Sequence, residues 1–142
     1  MRFLSYISNM SKNLDHSGIK SIVNNYDLFF IDLWGVVHNG INLYKNSIKV
    51  LENLAAAKKD FVLLTNAPRL NENVVNFLKK IGLKKYFENV FTSGEAAHKH
   101  LVNELDKQKF FHIGPSKDFN LFKNFEKNKV LNIEDADYLL CT

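Results

Sequence analysis

Short apolar runs alternate along this chain with longer segments in which apolar positions recur every three to four residues. Three runs rich in Phe, Ile, Leu and Val predict β-strands: residues 26–33, 61–64 and 89–92. Three segments with a single apolar stripe predict amphipathic helices: residues 46–59, 72–81 and 94–105. The alternation of strand and helix predicts right-handed crossovers and a doubly wound parallel sheet, and therefore an α/β fold.

Less regular patterns predict further elements on either side of this unit. A short helix is expected before the first strand, at residues 17–25. Beyond residue 105 the pattern predicts three strands and one helix: strands at 109–113, 129–131 and 137–142, and a helix at 118–125. The first strand is almost continuously apolar, which predicts that both of its faces are buried.

Asp32 ends the first apolar run, where a charged side chain needs a partner, a metal ion or a catalytic task. Thr65 ends the next strand, and ligands of open α/β sheets bind beyond the carboxyl ends of the strands. A carboxylate at this edge can act as a nucleophile or as a magnesium ligand. The hydroxyl of Thr65, the backbone around Asn66 and the guanidinium of Arg69 can hold phosphoryl oxygens. Spacing alone leaves open whether these polar residues do more than end their strands.

Three motifs, in order along the chain, resemble those of one protein superfamily. They occupy residues 32–36, 63–69 and 91–95. Together they resemble the haloacid dehalogenase (HAD)-like hydrolases, and more narrowly the phosphatase-like subclass IIA with a C2-type cap. The resemblance implies an incomplete HAD-type Rossmann-like parallel sheet followed by the start of an α/β C2-type cap. We accordingly expect residues 1–105 to form the N-terminal part of the core and residues 106–142 to begin the cap.

The resemblance also implies a role for each residue that matches a motif. Asp32 matches the nucleophile that forms an aspartyl phosphate and binds Mg²⁺, and the backbone carbonyl of Trp34 matches a second ligand of that ion. Gly35 matches the tight turn that opens the flap, and we expect it to take part in binding phosphate. Thr65 matches the catalytic hydroxyl that holds the transferring phosphoryl group, and Asn66 and Arg69 join it in binding phosphate.

Two departures from the family pattern bear on activity. Trp34 stands where phosphatases of the family carry a second aspartate that protonates the leaving oxygen, and such acid–base catalysis is worth roughly 10²–10⁴-fold. The family also has a lysine and an acidic pair beyond the cap, for which this sequence has no match. We therefore expect a truncated chain that is catalytically incomplete on its own, and we leave open whether it is an enzyme. The alternatives are one half of a split enzyme and a non-catalytic binding or interaction module.

Composition narrows the class of protein without deciding its activity. With 142 residues, 46% of them hydrophobic, the chain can bury one globular core. Its single cysteine, Cys141, excludes an intramolecular disulfide and is typical of a reducing compartment. The sequence shows no signal peptide and no apolar stretch long enough to span a bilayer. We expect a cytoplasmic protein with no membrane partner.

The net charge of +4 raises the question of nucleic acid binding. The lysines are spread along the predicted helices, and no basic motif interleaved with aromatic residues accompanies them. We therefore expect no nucleic acid partner. The expected partners are a small phosphorylated substrate and, for a split enzyme, a chain that supplies the missing half of the core.

Overall fold

The computed structural model describes residue 14, residues 18–122 and residues 124–142. In this part of the chain strands and helices alternate up to residue 104, and two further strands follow. The elements in chain order are β1 (Leu28–Asp32), α1 (Lys45–Ala56), β2 (Asp60–Thr65), α2 (Asn71–Lys80), β3 (Val90–Thr92), α3 (Ser93–Glu104), β4 (Phe110–Ile113) and β5 (Tyr138–Cys141). The strands predicted at 26–33, 61–64 and 89–92 and the helices predicted at 46–59, 72–81 and 94–105 are all confirmed, with small differences at their ends.

The first three strands form a parallel sheet in the order β1-β2-β3. Its register pairs Asp32 with Leu64, and Thr65 with Thr92. A second sheet of two parallel strands joins β4 to β5. The parallel α/β architecture expected from the alternating pattern is therefore confirmed.

One face of the three-stranded sheet carries the larger hydrophobic core. The sheet contributes Leu63 and Val90 from neighbouring strands, and helices α1 and α2 contribute Leu54 and Leu78. All four side chains are buried. Residues 29, 31 and 61 belong to the same face, since side chains alternate along each strand. Both crossover helices therefore pack on a single face of the sheet.

The opposite face is largely open. Phe30 is 68% exposed, and Leu28 and Leu64 beside it are also exposed. At the β3 end of this face Phe91 is half-buried, and the Lys99 ammonium of α3 lies 5.7 Å from its ring centroid. The prediction that both faces of the first strand are buried is therefore wrong, because no helix of the described chain covers the face around Phe30. We call the side chains of residues 28, 30 and 64 the open face.

A second hydrophobic cluster lies beyond the sheet. Phe110 of β4 is fully buried against Phe122 and Phe125, and Leu101 of α3 joins them. This cluster packs β4 and β5 against the end of α3. No helix in the described part of the chain is long and apolar enough to cross a membrane.

Three predicted elements differ in the structure. The helix expected at 17–25 is reduced to 3₁₀ turns at Ile19–Ser21 and Val23–Asn25, since β-branched and Asn residues favour the helix weakly, and residue 17 lies outside the described residues.

The other two differences lie near the second cluster. The helix expected at 118–125 is a 3₁₀ segment, Ser116–Phe122, and Asn124 beyond it has φ +80°, which no right-handed helix allows. The strand expected at 129–131 is wrong: Lys129 forms one isolated bridge to Phe110, and Leu131 is 89% exposed.

Candidate active site

Asp32 lies at the carboxyl end of β1, as the sequence predicts, and on the side of the open face. It alternates with Leu33, which belongs to the buried core, and its carboxylate is exposed. The backbone N–H of Leu33 donates a hydrogen bond to Oδ1 of Asp32 over 2.9 Å. Asp32 lines an open pocket of about 420 Å³ together with Phe30, Leu64, Thr65 and Asn66. This pocket, which we call the Asp32 pocket, joins the carboxyl edge of the sheet to the open face.

A larger cleft lies on the other side of Thr65. It measures about 620 Å³, within the usual range for small-molecule sites. Residues 65–69, the last residue of β2 and the loop that follows it, form one wall of the cleft, and we call them the 65–69 loop. Residues 117 and 118 of the 3₁₀ segment also line the cleft. The buried Thr65 keeps its Oγ in place by accepting a hydrogen bond from the N–H of Ala67 over 3.3 Å. Thr65 and Asn66 line both the cleft and the Asp32 pocket, so the two spaces are continuous.

Residues 33–44 form a flap between β1 and α1. Gly35 turns the chain with φ +77°, a conformation that side chains disfavour, and its N–H donates to the carbonyl of His38 over 2.8 Å. The Asn39 side chain closes the tip by accepting hydrogen bonds from the N–H groups of Ile41 and Asn42. Gly35 lines neither the cleft nor the Asp32 pocket, and it forms the turn at the start of the flap.

Trp34 and His38 of the flap line the cleft. Their rings meet edge to face with centroids 5.6 Å apart, and the His38 ring also contacts that of Phe77. The Trp34 ring lies so close to Gly40 that a Cβ there would stand 2.6 Å from it. The side chain of Trp34 is thus used for packing in the flap.

The protonation state of His38 is tied to the flap. Its Nδ1 accepts a hydrogen bond from the N–H of Gly40 over 3.0 Å, so the neutral ring carries its proton on Nε2. Burial lowers the pKa of His38 below its ordinary value, and the Asp32 carboxylate opposes this shift. The arrangement favours neutral imidazole.

A closed set of hydrogen bonds holds the 65–69 loop against α3. Thr92, which is fully buried, donates its hydroxyl to the carbonyl of Arg69 and accepts from the N–H of Glu95 over 2.9 Å. Its own N–H donates to the Asn71 side chain over 3.0 Å, and the N–H of Asn71 donates to the Glu95 carboxylate over 3.1 Å. The backbone of Arg69 therefore has one position, set by the junction of β3 and α3.

Gly94 allows this close approach. A Cβ at this position would lie 2.3 Å from the backbone nitrogen of Arg69 and 2.5 Å from its carbonyl oxygen. The N–H of Gly94 donates to the carbonyl of Ala67, and the hydroxyl of Ser93 donates to the same oxygen. The second and third sequence motifs are thus one physical unit.

The structure brings most of the predicted residues to one edge. Thr65, Asn66, Arg69 and Trp34 line the cleft, and Asp32 lines the continuous pocket beside it. Only Gly35 of the predicted set lies away from both spaces.

Sequence reasoning missed several residues that shape this region. The clamp formed by Thr92 and Glu95 has a sequence signal, since Thr followed three residues later by Glu is a capping box. Lys117 and Asp118 reach the cleft from a segment distant in sequence, and no local pattern marks them.

The residues present do not complete a magnesium site. Mg²⁺ needs near-octahedral oxygen coordination, with carboxylates, substrate phosphate and water as ligands. The Asp32 pocket offers one carboxylate, and no group of three His, Cys, Asp or Glu residues that could hold a metal ion occurs in the described part of the chain. The described residues alone therefore do not enclose this ion.

Comparisons with known proteins fit this geometry. A family model described as haloacid dehalogenase-like hydrolase matches residues 29–126, which is more than half of the chain. No curated protein matches the sequence significantly.

Solved structures resemble the fold. A haloacid dehalogenase-like hydrolase from Brucella suis is 26% identical with a TM-score of 0.73, over 94% of this chain and 48% of its own. A 4-nitrophenylphosphatase from Thermotoga maritima is 24% identical with a TM-score of 0.65, over 84% of this chain and 45% of its own. A glycerol phosphate phosphatase from Mycobacterium tuberculosis, in complex with magnesium, is 23% identical with a TM-score of 0.61, over 84% of this chain and 37% of its own. This chain spans less than half the length of each.

Proposed function

Because this chain belongs to the haloacid dehalogenase-like hydrolase family, we propose that it is the nucleophile-bearing half of a phosphatase-type active site. The carboxylate of Asp32 attacks the phosphorus of a phosphate monoester, the bond to the leaving oxygen breaks, and an aspartyl phosphate forms. The leaving oxygen takes a proton from solvent. Water then attacks the phosphorus, the bond from phosphorus to Asp32 breaks, and phosphate and one proton are released as the carboxylate is restored. Thr65, Asn66 and Arg69 hold the phosphoryl oxygens during both steps.

The position of Asp32 is the observation that carries this proposal. It stands where the carboxyl edge of the sheet meets the open face, and the pocket around it has two apolar walls, Phe30 and Leu64. A polypeptide that packs on the open face therefore arrives beside the nucleophile. Exposed apolar surface of this kind is typical of a protein interface.

The free edge of β1 supports the same partner. β1 pairs with β2 on one side, and no described strand pairs with its other side. A parallel strand added there would pair the free backbone groups of β1. We propose that the other half of a complete core supplies this strand, together with the lysine and the acidic pair for which the given sequence has no match.

The finer assignments follow from this proposal. The described residues up to 105 form the N-terminal part of the core and residues 106–142 the start of a cap, whereas residues 1–13 and 15–17 of the expected core lie outside the described residues. The protein is cytoplasmic. Mg²⁺ is the cofactor, with Asp32 and the Trp34 carbonyl as two of its ligands. A small phosphate monoester is the substrate.

The first test measures hydrolysis of 4-nitrophenyl phosphate with Mg²⁺. The purified chain is tested alone and mixed with the part of the Brucella suis protein that this chain does not match. Turnover is expected only in the mixture, and Asp32→Asn should abolish it. Asp60→Asn, at the opposite end of the sheet, is the matched control and should leave it unchanged. Turnover by the chain alone that depends on Asp32 contradicts the half-site.

A second measurement separates an inactive mixture from a wrong assignment. Inorganic phosphate is titrated into the chain alone, and its backbone amide resonances are followed by NMR. Shifts at residues 65–67 and 69 are expected even if the foreign half fails to assemble. If those resonances do not respond to phosphate, the proposed function is wrong.

A non-catalytic interaction module is the second candidate, and the open face favours it. A module of this kind uses the apolar side chains of residues 28, 30 and 64 to bind a partner and needs no ligand at Asp32. A chain that binds no phosphate on its own, yet assembles with a partner through Phe30, supports this candidate over the phosphatase half.

A further inference from the structure

A small polar pocket opens from the far end of the cleft. It measures about 290 Å³ and, apart from Pro68, polar or charged residues line it: Arg69, Asn73, Lys117, Asp118 and Asn120. Arg69, Lys117 and Asp118 also line the main cleft, so the two spaces are continuous. The Asp32 pocket, the cleft and the polar pocket thus follow one another along the 65–69 loop.

Asp118 is the unusual residue of this pocket. It is only 3% exposed, and its Oδ1 is buried without a hydrogen bond to any residue that the structure describes. A buried carboxylate oxygen without a donor is costly, and an isolated case calls for a ligand, an ion or a water molecule to explain it. Rotation about χ2, which is soft for Asp, can turn this oxygen without moving the backbone.

We infer that the cleft and the polar pocket receive the organic part of a phosphate monoester, and that Asp118 selects organic groups that carry hydroxyls. The inference rests on the proposed function, since it starts from phosphate held at Thr65 and Asn66. Phosphate there leaves the rest of the molecule pointing along the loop to the polar pocket. The side-chain amides of Asn73 and Asn120 can donate to and accept from hydroxyls.

The charges favour a hydroxyl over an ammonium group as the donor. Arg69 and Lys117 line the same pocket and would repel a second cation next to Asp118. A neutral hydroxyl supplies the missing hydrogen to Oδ1 and escapes this repulsion. A ligand without a donor leaves the oxygen unpaired, which is how a buried polar group rejects an analogue.

The test compares two ligands that differ only in hydroxyls. Glycerol 3-phosphate and propyl phosphate are titrated into the full chain by calorimetry, with inorganic phosphate as the reference. We expect the glycerol ester to bind about tenfold more tightly than the propyl ester, which corresponds to about 1.4 kcal/mol. Asp118→Ala should remove this preference.

Controls separate this inference from the proposed function. Asp118→Asn keeps the shape of the side chain and tests the charge if the alanine variant does not fold, and the exposed Asp106→Ala should keep the preference. Equal binding of the two esters, or a preference that survives in both Asp118 variants, overturns the inference while phosphate binding persists. Tighter binding of phosphoethanolamine than of glycerol 3-phosphate overturns the hydroxyl assignment. Absence of binding by all phosphates overturns the proposed function itself.

Discussion

The contact between Gly94 and the backbone of Arg69 yields the sharpest prediction. In a helix, Gly→Ala ordinarily stabilises by about 0.5–1 kcal/mol, because alanine loses less backbone entropy. Here the new Cβ would lie 2.3 Å from the Arg69 nitrogen, whereas ordinary contacts begin at 3.4 Å. The atoms it meets belong to the backbone, so no side-chain rotation relieves the overlap.

The magnitude follows from this geometry. The 65–69 loop has to move by about 1 Å, and overpacking of this kind typically costs about 1–3 kcal/mol. The shift also breaks the hydrogen bond from the N–H of Gly94 to the carbonyl of Ala67, which is 3.2 Å long. We therefore expect Gly94→Ala to reverse the usual sign and to destabilise the chain by about 1–2 kcal/mol, after the helix gain is subtracted.

Urea denaturation followed by circular dichroism measures this change, and phosphate titration by NMR measures its effect on the loop. The changes that phosphate causes in the amide resonances of residues 65–67 and 69 should become smaller in the less stable variant. Ser93→Ala, at the neighbouring exposed position, removes one hydrogen bond to Ala67 without adding a clash and should cost about 0.5–1.5 kcal/mol. A Gly94→Ala protein that is more stable than the parent, with phosphate binding intact, would falsify the account of the loop.

Three further outcomes are expected. Thr92→Val should cost about 1–3 kcal/mol, because it leaves buried partners unpaired, and Thr92→Ser should recover most of this loss in urea denaturation. The lowered pKa of His38 means that the unfolded chain binds the proton more readily. The contribution of neutral His38 to the free energy of unfolding should therefore be fully present above about pH 6.5 and be lost as the pH falls below that value. His38→Phe should reduce this dependence of the free energy of unfolding on pH. Part of the dependence should remain, because burial also lowers the pKa of His112. An unchanged pH dependence in His38→Phe would contradict the reasoning. Phe30→Lys should change stability by no more than about 0.5 kcal/mol, since the side chain is exposed, yet it should abolish turnover in the complemented mixture.

The sequence by itself determined the alternation of strands and helices and the carboxyl edge of the sheet at which Asp32 and Thr65 lie. Apolar runs and helical stripes are local patterns, and they are enough to predict β1 to α3 and to place Asp32 and Thr65 at strand ends. The failures of prediction fall where burial does not reinforce the pattern, as at Leu131, which has no core to enter.

Tertiary structure decided which surfaces and residues surround that edge. The apolar sequence of β1 does not predict whether a second layer covers Phe30, because burial of that side chain depends on other elements of the fold. Nor can local sequence bring Asp118 to Arg69, since their meeting depends on how the 3₁₀ segment packs against α3 and β4. The motifs locate Asp32, the proposed nucleophile, and three-dimensional packing determines the pocket around it and the open face beside it.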